Sequence, residues 1–379
     1  MLKFAQIGDT HLGRQMYGVR LLEDQRHALD LVRRELEERD VDVLLITGDV
    51  YDRSVPPAEA VKVLDDFVYD VTQGLGIPIV MIAGNHDSAT RLEFGGRLMN
   101  GLHIAPAFQG PIEPIVFEDE LGMIEVFPVP FLEPARVRQL LEDPAVVDQE
   151  SAMRAVVDDI RARATAERVV IMGHAFVAGG SASESERPLA IGGAETIDAS
   201  VFDGISYVAL GHLHRPQSVG SPRVQYAGSL MKYSLSELGH DKSMTVVQIP
   251  LEGDVALERV PLPPLRDLRR VEGELEDVIA RGPEGDADDY IVVKLLDKGP
   301  VFDAMARVRT VYPNALHIER PQIELEGTVK LPSRDHRSMG IHELFQAFYQ
   351  EVMGEELDAE ASEALAEILR EDEREEVAA

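Results

Sequence analysis

The chain has 379 residues, 45% of them hydrophobic, which excludes a disulfide-stapled miniprotein or a disordered chain and is typical of two or three domains. Its 68 acidic and 37 basic side chains give a formal net charge of −31, which argues against nucleic acid as a partner because phosphate binding needs clustered lysine and arginine. The chain has no cysteine, which excludes disulfide bonds, cysteine-ligated metal clusters and thiol nucleophiles.

The N-terminal segment does not have the features of a signal peptide. Its single lysine precedes only a short apolar run, which Gly8 and Asp9 interrupt. No stretch approaches the roughly 18 apolar residues that a membrane-spanning helix needs. We therefore expect a cytoplasmic protein with no membrane segment.

Short apolar runs that end in Gly, Asp or His recur along the first 214 residues: KFAQIGD, VDVLLITGD, IPIVMIAGNHD, RVVIMGH and ISYVALGH. Helical patterns separate the first three, over residues 22–38 with Leu29, Val32 and Leu36 on one face, and over residues 58–71 with Val61, Leu64 and Val68. Val- and Ile-rich strands that alternate with helices predict an α/β fold with strands buried on both faces.

After His214 the pattern changes to strands joined by turns, in RVQYAGS, KSMTVVQIP and DVALERVPL. Prolines at 261, 263 and 264 mark a boundary, because they remove hydrogen-bond donors and stiffen a linker. Beyond it, LRRVEGE, YIVVKLLD, a helix over residues 302–311 and LHIER predict a small α+β module. Two helices follow, in HELFQAFYQEVM and SEALAEILREDEREE. The predicted domains are therefore residues 1–262, 265–332 and 335–379.

Polar residues cluster directly after the predicted strands of the first domain. In an α/β sheet the carboxyl ends of the strands gather at one edge, where such sheets place ligands. The residues that should converge there are Asp9, His11, Asp49, Asn85, His86, His174, His212 and His214.

This mixture of carboxylate, imidazole and amide donors suits Mn²⁺, Fe²⁺ or Zn²⁺. Two carboxylates, one amide and four of the five histidines make seven ligands. Seven are too many for one catalytic ion that keeps an open position, and they suit two ions roughly 3.5–4 Å apart. Asp49 is the expected bridging carboxylate, since it lies between the two sets of ligands in chain order. A single histidine after a strand is usually only hydrogen-bonded, but five in similar company favour metal ligation. The other six we assign to surface or core: His27, His103, His240, His317, His336 and His342.

These motifs, in this order, resemble the five motifs of the calcineurin-like metallophosphoesterases over roughly residues 1–230: Asp9-Thr10-His11, Gly48-Asp49-x-x-Asp52, Gly84-Asn85-His86-Asp87, Gly173-His174 and Gly211-His212-x-His214. The tracts DTHLG, GDVYDRSVPP, GHLHRPQ and YAGSLMKYSLSE further resemble the SbcD family, the nuclease subunits of bacterial SbcCD complexes. The small module and the terminal helices match that family's layout, less specifically after residue 260.

The resemblance implies a β-sandwich flanked by helices, with a small α+β capping domain and C-terminal helices. It implies two metal ions, Mn²⁺ or else Mg²⁺, Fe²⁺ or Zn²⁺. One ion would be held by Asp9, His11, Asp49 and His214, and the second by Asp49, Asn85, His174 and His212. His86 would then be the catalytic histidine, and Asp52 would orient it.

The activity implied is Mn²⁺-dependent exonuclease and endonuclease cleavage of DNA in break processing, repair and recombination, together with a coiled-coil ATPase of the SbcC type. The family also implies a homodimer, through the helices between Asp52 and Asn100, and a heterotetramer with the ATPase. The protein would be cytoplasmic, and nucleoid-associated when on DNA. The ATPase would dock on a C-terminal apolar stripe, which could equally pack on its own domain: Leu344, Phe345, Phe348, Tyr349 and Val352.

Two other functions stay open on the sequence: a phosphatase or cyclic-nucleotide phosphodiesterase of the same fold, and a catalytically silent scaffold. The metal ligands do not separate the first from a nuclease, although the module after residue 260 and the helical tail favour the nuclease. The presence of every expected ligand disfavours the scaffold.

The side chains that would contact DNA are less defined. Candidate phosphate contacts are Arg14, Arg20, Arg53, Arg91 and Arg97, any one of which is more often a surface solubility residue. The polar loop 178–187 is either a connector or a substrate-facing loop beside His174. Residues 351–379 have 12 acidic and 2 basic side chains, a net −10 of the −31, away from the expected cleft. The overall charge therefore does not exclude DNA, and it predicts weak DNA affinity for the isolated protein.

Overall fold

The computed structural model describes residues 1–186, 196–297, 299, 301–320, 345, 346, 349, 361, 362 and 365, except for the side chain of Arg97. Residues 1–319 form one compact unit and residues 320–379 a second. In the second unit, the Gln346 side-chain amide donates to Ser362 Oγ at 3.3 Å. Most of the predicted segment 335–379, with His336 and His342, lies outside the described residues.

The first half of the chain alternates strands and helices. Its strands are β1 (Lys3–Ile7), β2 (Gln15–Met16), β3 (Val19–Arg20), β4 (Val43–Ile46), β5 (Ile79–Ile82), β6 (Leu102–Ala105), β7 (Ile115–Asp119), β8 (Gly122–Pro128) and β9 (Arg168–His174). Its helices are α1 (Leu22–Glu38), α2 (Ala58–Tyr69), α3 (Ala89–Glu93), α4 (Pro134–Leu141) and α5 (Gln149–Arg163). A π-helical turn, Asp70–Gly74, follows α2, and a 3₁₀ turn, Gly96–Leu98, follows α3.

The second half is richer in strands. They are β10 (Phe176–Val177), β11 (Thr196–Ile197), β12 (Tyr207–Gly211), β13 (Gln217–Val219), β14 (Ser221–Tyr226), β15 (Ser243–Gln248), β16 (Ala256–Pro261), β17 (Leu268–Gly273), β18 (Tyr290–Leu295) and β19 (Ala315–Glu319). The helices are α6 (Leu275–Arg281) and α7 (Ala304–Arg309), with 3₁₀ turns at Ala199–Phe202 and Leu235–Glu237.

Two six-stranded sheets form the main body. The first has the order β16-β15-β1-β4-β5-β6, and the second has the order β13-β14-β12-β9-β8-β7. Strands β1, β4, β5 and β6 are parallel, as are β8, β9, β12 and β14. Antiparallel strands form three of the four sheet edges, and the parallel strand β6 forms the fourth. Each parallel set directs the carboxyl ends of its strands to one edge of its sheet.

The two sheets pack face to face through a layer of buried side chains. Phe4, Leu45 and Val80 of the first sheet meet Val126 and Met172 of the second in one core cluster. Helices α1 and α2 cover the outer face of the first sheet, and α5 covers that of the second. The predicted β-sandwich flanked by helices is therefore present, and residues 43–46 are buried on both faces as the apolar runs indicated.

Helix α1 has the predicted bounds and buries the predicted face, with Leu29, Val32 and Leu36 inside. The prediction for the next helix was wrong in part: α2 ends at Tyr69 and buries Ala60, Val63, Phe67 and Val68. Of the predicted face, Val68 is buried as expected, whereas Val61 is 44% exposed. The buried face therefore differs from the predicted one at Val61 and shares Val68 with it. Val61 contributes instead to an exposed apolar surface.

The module after residue 262 is a three-stranded parallel sheet, β17-β18-β19, with α6 and α7 as its crossovers. Its predicted helix over 302–311 is shorter, covering Ala304–Arg309. Leu268, Tyr290 and Leu316 join the hydrophobic core of the first sheet and its helices. The Tyr290 hydroxyl donates to Asp24 at 2.8 Å, and Arg266 Nη1 pairs with the same carboxylate at 3.0 Å. The capping module is therefore fastened to the first turn of α1.

Within the described residues, no helix combines the length and the apolar character needed to cross a membrane.

Candidate metal centre and active site

The residues predicted to form the site come from the ends of five strands. Asp9 and His11 follow β1, Asp49 follows β4, and Asn85 with His86 follows β5. His174 ends β9, and His212 with His214 follows β12. The sequence suggested one sheet edge, but the structure uses two, since β9 and β12 belong to the second sheet. The site therefore lies on the shared rim of the sandwich.

Asp49 lies at the centre of this group. Its Oδ2 is 3.7 Å from His11 Nε2, 3.7 Å from His86 Nε2 and 3.5 Å from His174 Nε2. Its Oδ1 accepts a hydrogen bond from the His86 main-chain N–H at 2.9 Å. This position, between ligands of both sheets, is the one that a bridging carboxylate would need.

The donor atoms are close enough together to share cations. Three sets each have their donor atoms within 4.8 Å of one another: Asp9, His11 and His214; Asp9, Asp49 and His174; His11, Asp49 and His86. Because His86 meets the same criterion as the expected ligands, distance alone does not separate its predicted catalytic role from ligation. Asn85 Oδ1 lies 3.0 Å from His174 Nε2, and His212 reaches the site through its main-chain N–H, which donates to Asp9 at 2.9 Å.

The residues fit two divalent cations. His11 Nδ1 is buried with no hydrogen-bond partner, and His11 Nε2 lies only 3.0 Å from His214 Nε2. Two ring nitrogens at that separation with carboxylates beside them are a donor set for a cation, and the oxygen and nitrogen ligands suit Mn²⁺, Fe²⁺ or Zn²⁺. Which residues bind which ion stays a prediction.

Burial sets the charge state of this cluster. It raises the pKa of Asp9 well above its ordinary value and lowers the pKa of His11, of His214 and of His212, the last to about 3. Neutral imidazole is the form that binds metal, so burial prepares these three rings as ligands. For Asp49, burial is outweighed by His174, His11 and His86, which hold its pKa well below the ordinary value.

Main-chain carbonyls orient two of the rings. His174 Nδ1 donates to the Thr47 carbonyl at 2.9 Å, which leaves Nε2 towards Asp49. His86 Nδ1 donates to the Asp52 carbonyl at 2.8 Å, which likewise leaves Nε2 towards Asp49. Asp52 thus contacts His86 through its backbone, while its carboxylate pairs with Arg14 at 3.4 Å and with Arg53 at 3.6 Å. His86 is therefore held by the Asp52 main chain and not by its carboxylate, and the catalytic roles of the two residues stay a prediction.

The backbone is unusual at four of these positions. Asp9, His11, Asp49 and His212 have φ values of 49°, 44°, 47° and 104°, in the left-handed region that non-glycine residues rarely adopt. Such conformations cost about 1–3 kcal/mol each and persist where the surrounding structure enforces them. Backbone strain is therefore concentrated on the predicted ligands.

Glycines let the strand ends come close. A Cβ on Gly84 would lie 2.1 Å from Asp49 Oδ1, and one on Gly211 would lie 2.0 Å from the Thr47 carbonyl oxygen. The second contact joins the two sheets. Gly84 and Gly211 are therefore needed for this close approach, because any side chain there would clash with these atoms.

Comparison with known proteins agrees with this geometry. The calcineurin-like phosphoesterase family model matches residues 2–216. A relative from Staphylococcus epidermidis, the D subunit of the nuclease SbcCD, is 31% identical over 375 residues, which cover 97% of this chain and 98% of that relative. The chain is an SbcD-type member of the calcineurin-like phosphoesterase family. The resemblance of its motifs is thereby confirmed.

A second family model, described as the type 5 capsule protein repressor C-terminal domain, matches residues 264–353 of this phosphoesterase. Among solved structures, a dimetal phosphatase from Danio rerio aligns with 12% identity and a TM-score of 0.43, covering 69% of this chain and 96% of that one. GAP50 of the Plasmodium inner membrane complex aligns with 12% identity and a TM-score of 0.42, covering 69% and 84%.

The candidate phosphate-contacting arginines of the phosphoesterase do not form one group. Arg14 is half-buried beside the site, where its guanidinium lies over the Tyr233 ring at 5.0 Å and donates to the Ser185 carbonyl at 3.0 Å. Arg53 is exposed next to Asp52. Arg20 and Arg91 are exposed, and the side chain of Arg97 lies outside the described part of the chain. Arg14 and Arg53 are therefore the two placed nearest the site.

The polar loop over 178–187 contacts His214 instead of the expected His174. Ser185 is buried against the His214 ring, and Glu186 accepts the His214 main-chain N–H at 2.6 Å. The described part of the loop therefore supports His214 structurally, and this role differs from both the simple connector and the substrate-facing loop expected from the sequence. Residues 187–195 lie outside the described residues.

The sequence motif included Asp87 but assigned it no role, and the structure shows that it holds the Asp49 and Asn85 turns together. Its carboxylate accepts the main-chain N–H groups of Val50, Tyr51 and Gly84 at 3.1, 2.9 and 2.9 Å. Burial raises the pKa of Asp87 to about 6. Its position directly after the Asn-His pair was the only sequence signal.

Asp87→Asn should lower the free energy of unfolding by about 1–3 kcal/mol, because an amide N–H₂ would replace one of the oxygens that accept these N–H groups. Chemical denaturation of the metal-free protein measures this. The control is Asp66→Asn on the exposed side of α2, where loss of the exposed ion pair with Lys62 should leave stability nearly unchanged. Equal stability of Asp87→Asn and Asp66→Asn would contradict the role of Asp87.

Proposed function

We propose that this protein is a DNA nuclease that hydrolyses phosphodiester bonds with two divalent cations, as an exonuclease and endonuclease in break processing, repair and recombination. The likeness over 97% of the chain to a protein named as a nuclease subunit carries the proposal. The buried carboxylate and histidine cluster around Asp49 supplies the chemistry.

Asp9, His11, Asp49 and His214 would hold one ion, and Asp49, Asn85, His174 and His212 the second. Two such ions, Mn²⁺ by preference or else Mg²⁺, Fe²⁺ or Zn²⁺, would supply charge neutralisation of the phosphate and a lowered pKa of water when bound. The protein's part is to fix the ligands, through the carbonyl of Thr47 behind His174 and the glycines between the strand ends.

His86 would act on the phosphate or the leaving oxygen. Its Nδ1–H is held by the Asp52 carbonyl, so Nε2 faces Asp49 and the predicted metal centre. A histidine fixed in this way can stabilise developing negative charge or deliver a proton from Nε2 once protonated.

The test is cleavage of end-labelled linear duplex and hairpin DNA with Mn²⁺, with and without an SbcC-type ATPase and ATP. We expect cleavage that chelation abolishes and that added Mn²⁺ restores. Bis-p-nitrophenyl phosphate, a phosphomonoester and a cyclic nucleotide are assayed in parallel. Turnover of the last two with intact DNA would favour the alternative of a phosphatase or cyclic-nucleotide phosphodiesterase, and no turnover of any substrate would favour a scaffold.

A homodimer is part of the proposal, and an exposed apolar surface around α2 supports it. Phe94 and Leu98 are 89% and 90% exposed, and Val61 and Met99 are also exposed. Large exposed apolar side chains in one region mark a protein interface more often than free surface. This surface lies within the residues 52–100 that the sequence pointed to.

Phe94→Glu with Leu98→Glu should convert the dimer to a monomer, because burying two carboxylates at the interface costs more than the contact provides. Light scattering coupled to size-exclusion chromatography would show half the mass. Val147→Glu is the matched control, since Val147 is 69% exposed between α4 and α5, away from this surface. An unchanged mass in the double variant would place the dimer contact elsewhere.

An SbcC-type coiled-coil ATPase is the proposed partner, in a heterotetramer with two nuclease subunits. The relative's name assigns it to an SbcCD complex, and the apolar stripe of residues 344–352 is the proposed docking element. Of the five stripe residues, Phe345 and Tyr349 are described and the others lie outside the described residues. A cytoplasmic, nucleoid-associated location when on DNA follows from the proposed substrate.

Deletion of residues 335–379 should abolish co-purification with the ATPase, because it removes the whole proposed docking element. Mn²⁺ binding should persist, since all the predicted ligands lie before residue 215. Pull-down with a tagged ATPase and metal analysis of the truncated protein measure the two outcomes. Retained co-purification would show that the ATPase binds through another part of the chain.

A further inference from the structure

A buried network of hydrogen-bonded polar side chains lies behind the predicted metal ligand His214. Ser185 Oγ is 2.7 Å from His214 Nδ1 and donates to Glu237 Oε1. The Lys242 ammonium donates to Glu237 Oε2 at 2.6 Å, to Ser229 Oγ at 2.8 Å and to the His214 carbonyl at 2.8 Å. All five residues are at most 8% exposed.

If His214 binds a cation, each hydrogen bond between His214, Ser185 and Glu237 has a fixed donor and a fixed acceptor. Its Nε2 faces the cluster, 3.0 Å from His11 Nε2, so Nε2 must be free of a proton in order to ligate. The proton of the neutral ring is then on Nδ1, which donates to Ser185 Oγ. The Ser185 hydroxyl in turn donates to Glu237, whose ionised carboxylate only accepts and is paired with Lys242.

The same loop also holds the main chain of His214. Glu186, the neighbour of Ser185, accepts the His214 N–H at 2.6 Å, while Lys242 binds the His214 carbonyl. Arg14 donates to the Ser185 carbonyl at 3.0 Å and ties the loop to the β1 side of the site. Ring, N–H and carbonyl of one predicted ligand are therefore fixed by residues that do not themselves face the cations.

We propose that Ser185 and Glu237 are positioning residues that set the tautomer and orientation of His214, so that the loop over 181–186 determines the affinity of one of the two metal sites. This inference rests on the proposed dinuclear centre. Partners of this kind behind a ligating histidine typically contribute 10–100-fold to metal affinity. A buried Lys–Glu pair that served stability alone would have no site-selective effect on metal binding.

The experiment is calorimetric titration of the full-length, metal-free protein with MnCl₂. Ser185→Ala should weaken one binding step about 10–100-fold and leave the other within about threefold, with the melting temperature of the metal-free protein little changed. Ser185→Thr keeps the hydroxyl and should retain most of the affinity. Ser183→Ala is the matched control from the same loop, because Ser183 Oγ is buried with no hydrogen-bond partner.

A second variant, Glu237→Gln, keeps the size of the side chain but removes its charge, and it should weaken the same step. If it lowers the melting temperature because Lys242 is left without a counter-charge, Ser185→Ala still decides the outcome. Wild-type affinity at both steps in Ser185→Ala would overturn the positioning role. Wild-type protein that binds fewer than two Mn²⁺ would instead overturn the dinuclear centre, and this inference with it.

Discussion

Asp49→Asn should lower the rate of phosphodiester hydrolysis about a thousandfold or more and reduce the bound metal below two ions per chain. The Asp49 carboxylate is the only one whose oxygen lies within 3.7 Å of histidines from both sheets among the described residues. An amide could still accept the His86 N–H through its oxygen, but its other atom would offer N–H groups to the ligands instead of a lone pair. Losing about 4 kcal/mol of transition-state stabilisation is enough for a thousandfold effect.

Metal analysis and turnover of bis-p-nitrophenyl phosphate measure the two effects separately. Asp42→Asn is the control, because Asp42 lies exposed at the opposite end of the same strand, where it accepts the Lys3 N–H. It should keep both ions and full activity. Two tightly bound ions and normal turnover in Asp49→Asn would exclude Asp49 as the bridge.

His86→Ala should keep both metal ions and lower kcat about 10²–10⁴-fold, the range that a positioned acid or base contributes. The Nε2 atom is held towards the centre by the contact of Nδ1 with the Asp52 carbonyl. Removal of the ring takes away this group without removing any of the seven expected ligands. Metal analysis should therefore match the wild type while single-turnover cleavage of DNA slows.

Two variants make this result specific. His103→Ala removes an exposed histidine from β6 and should cleave normally. Asp52→Asn keeps the main-chain carbonyl that orients His86 and should lose much less activity than His86→Ala. If His86→Ala loses metal in proportion to activity, His86 is a ligand, as its distance of 3.7 Å from Asp49 would also permit.

The sequence was sufficient for the elements with clear periodicity. Helix α1 and the strands after residue 214 appear where apolar spacing placed them, because their buried faces are continuous in the sequence. In α2 the apolar residues form two adjacent stripes, and only the contact with the sheet decides that Ala60, Val63, Phe67 and Val68 are buried while Val61 is exposed. Periodicity alone does not contain that information.

For the site, every proposed ligand could be predicted from its position at the end of an apolar run, because a strand followed by Gly and His is a local sequence pattern. The contacts around the ligands were not local. Ser185 reaches Glu237 across 52 positions, and Asp87 joins Gly84 to residues 37 and 36 positions earlier. The His86 contact with the Asp52 carbonyl has no signature in side-chain identity at all.

The left-handed backbone at Asp9, His11, Asp49 and His212 has a consequence for how this chain tolerates change. Together these positions impose several kcal/mol that the rest of the fold must offset, which is comparable to the whole stability margin of many domains. A glycine at any of these positions would remove the backbone strain, but it has no side chain with which to bind an ion. Packing in the two sheets and their helices therefore has to supply more stability than an unstrained fold of this size would need. Destabilising substitutions far from the site would reduce this excess stability, and with it the free energy that holds the ligands in their strained conformations.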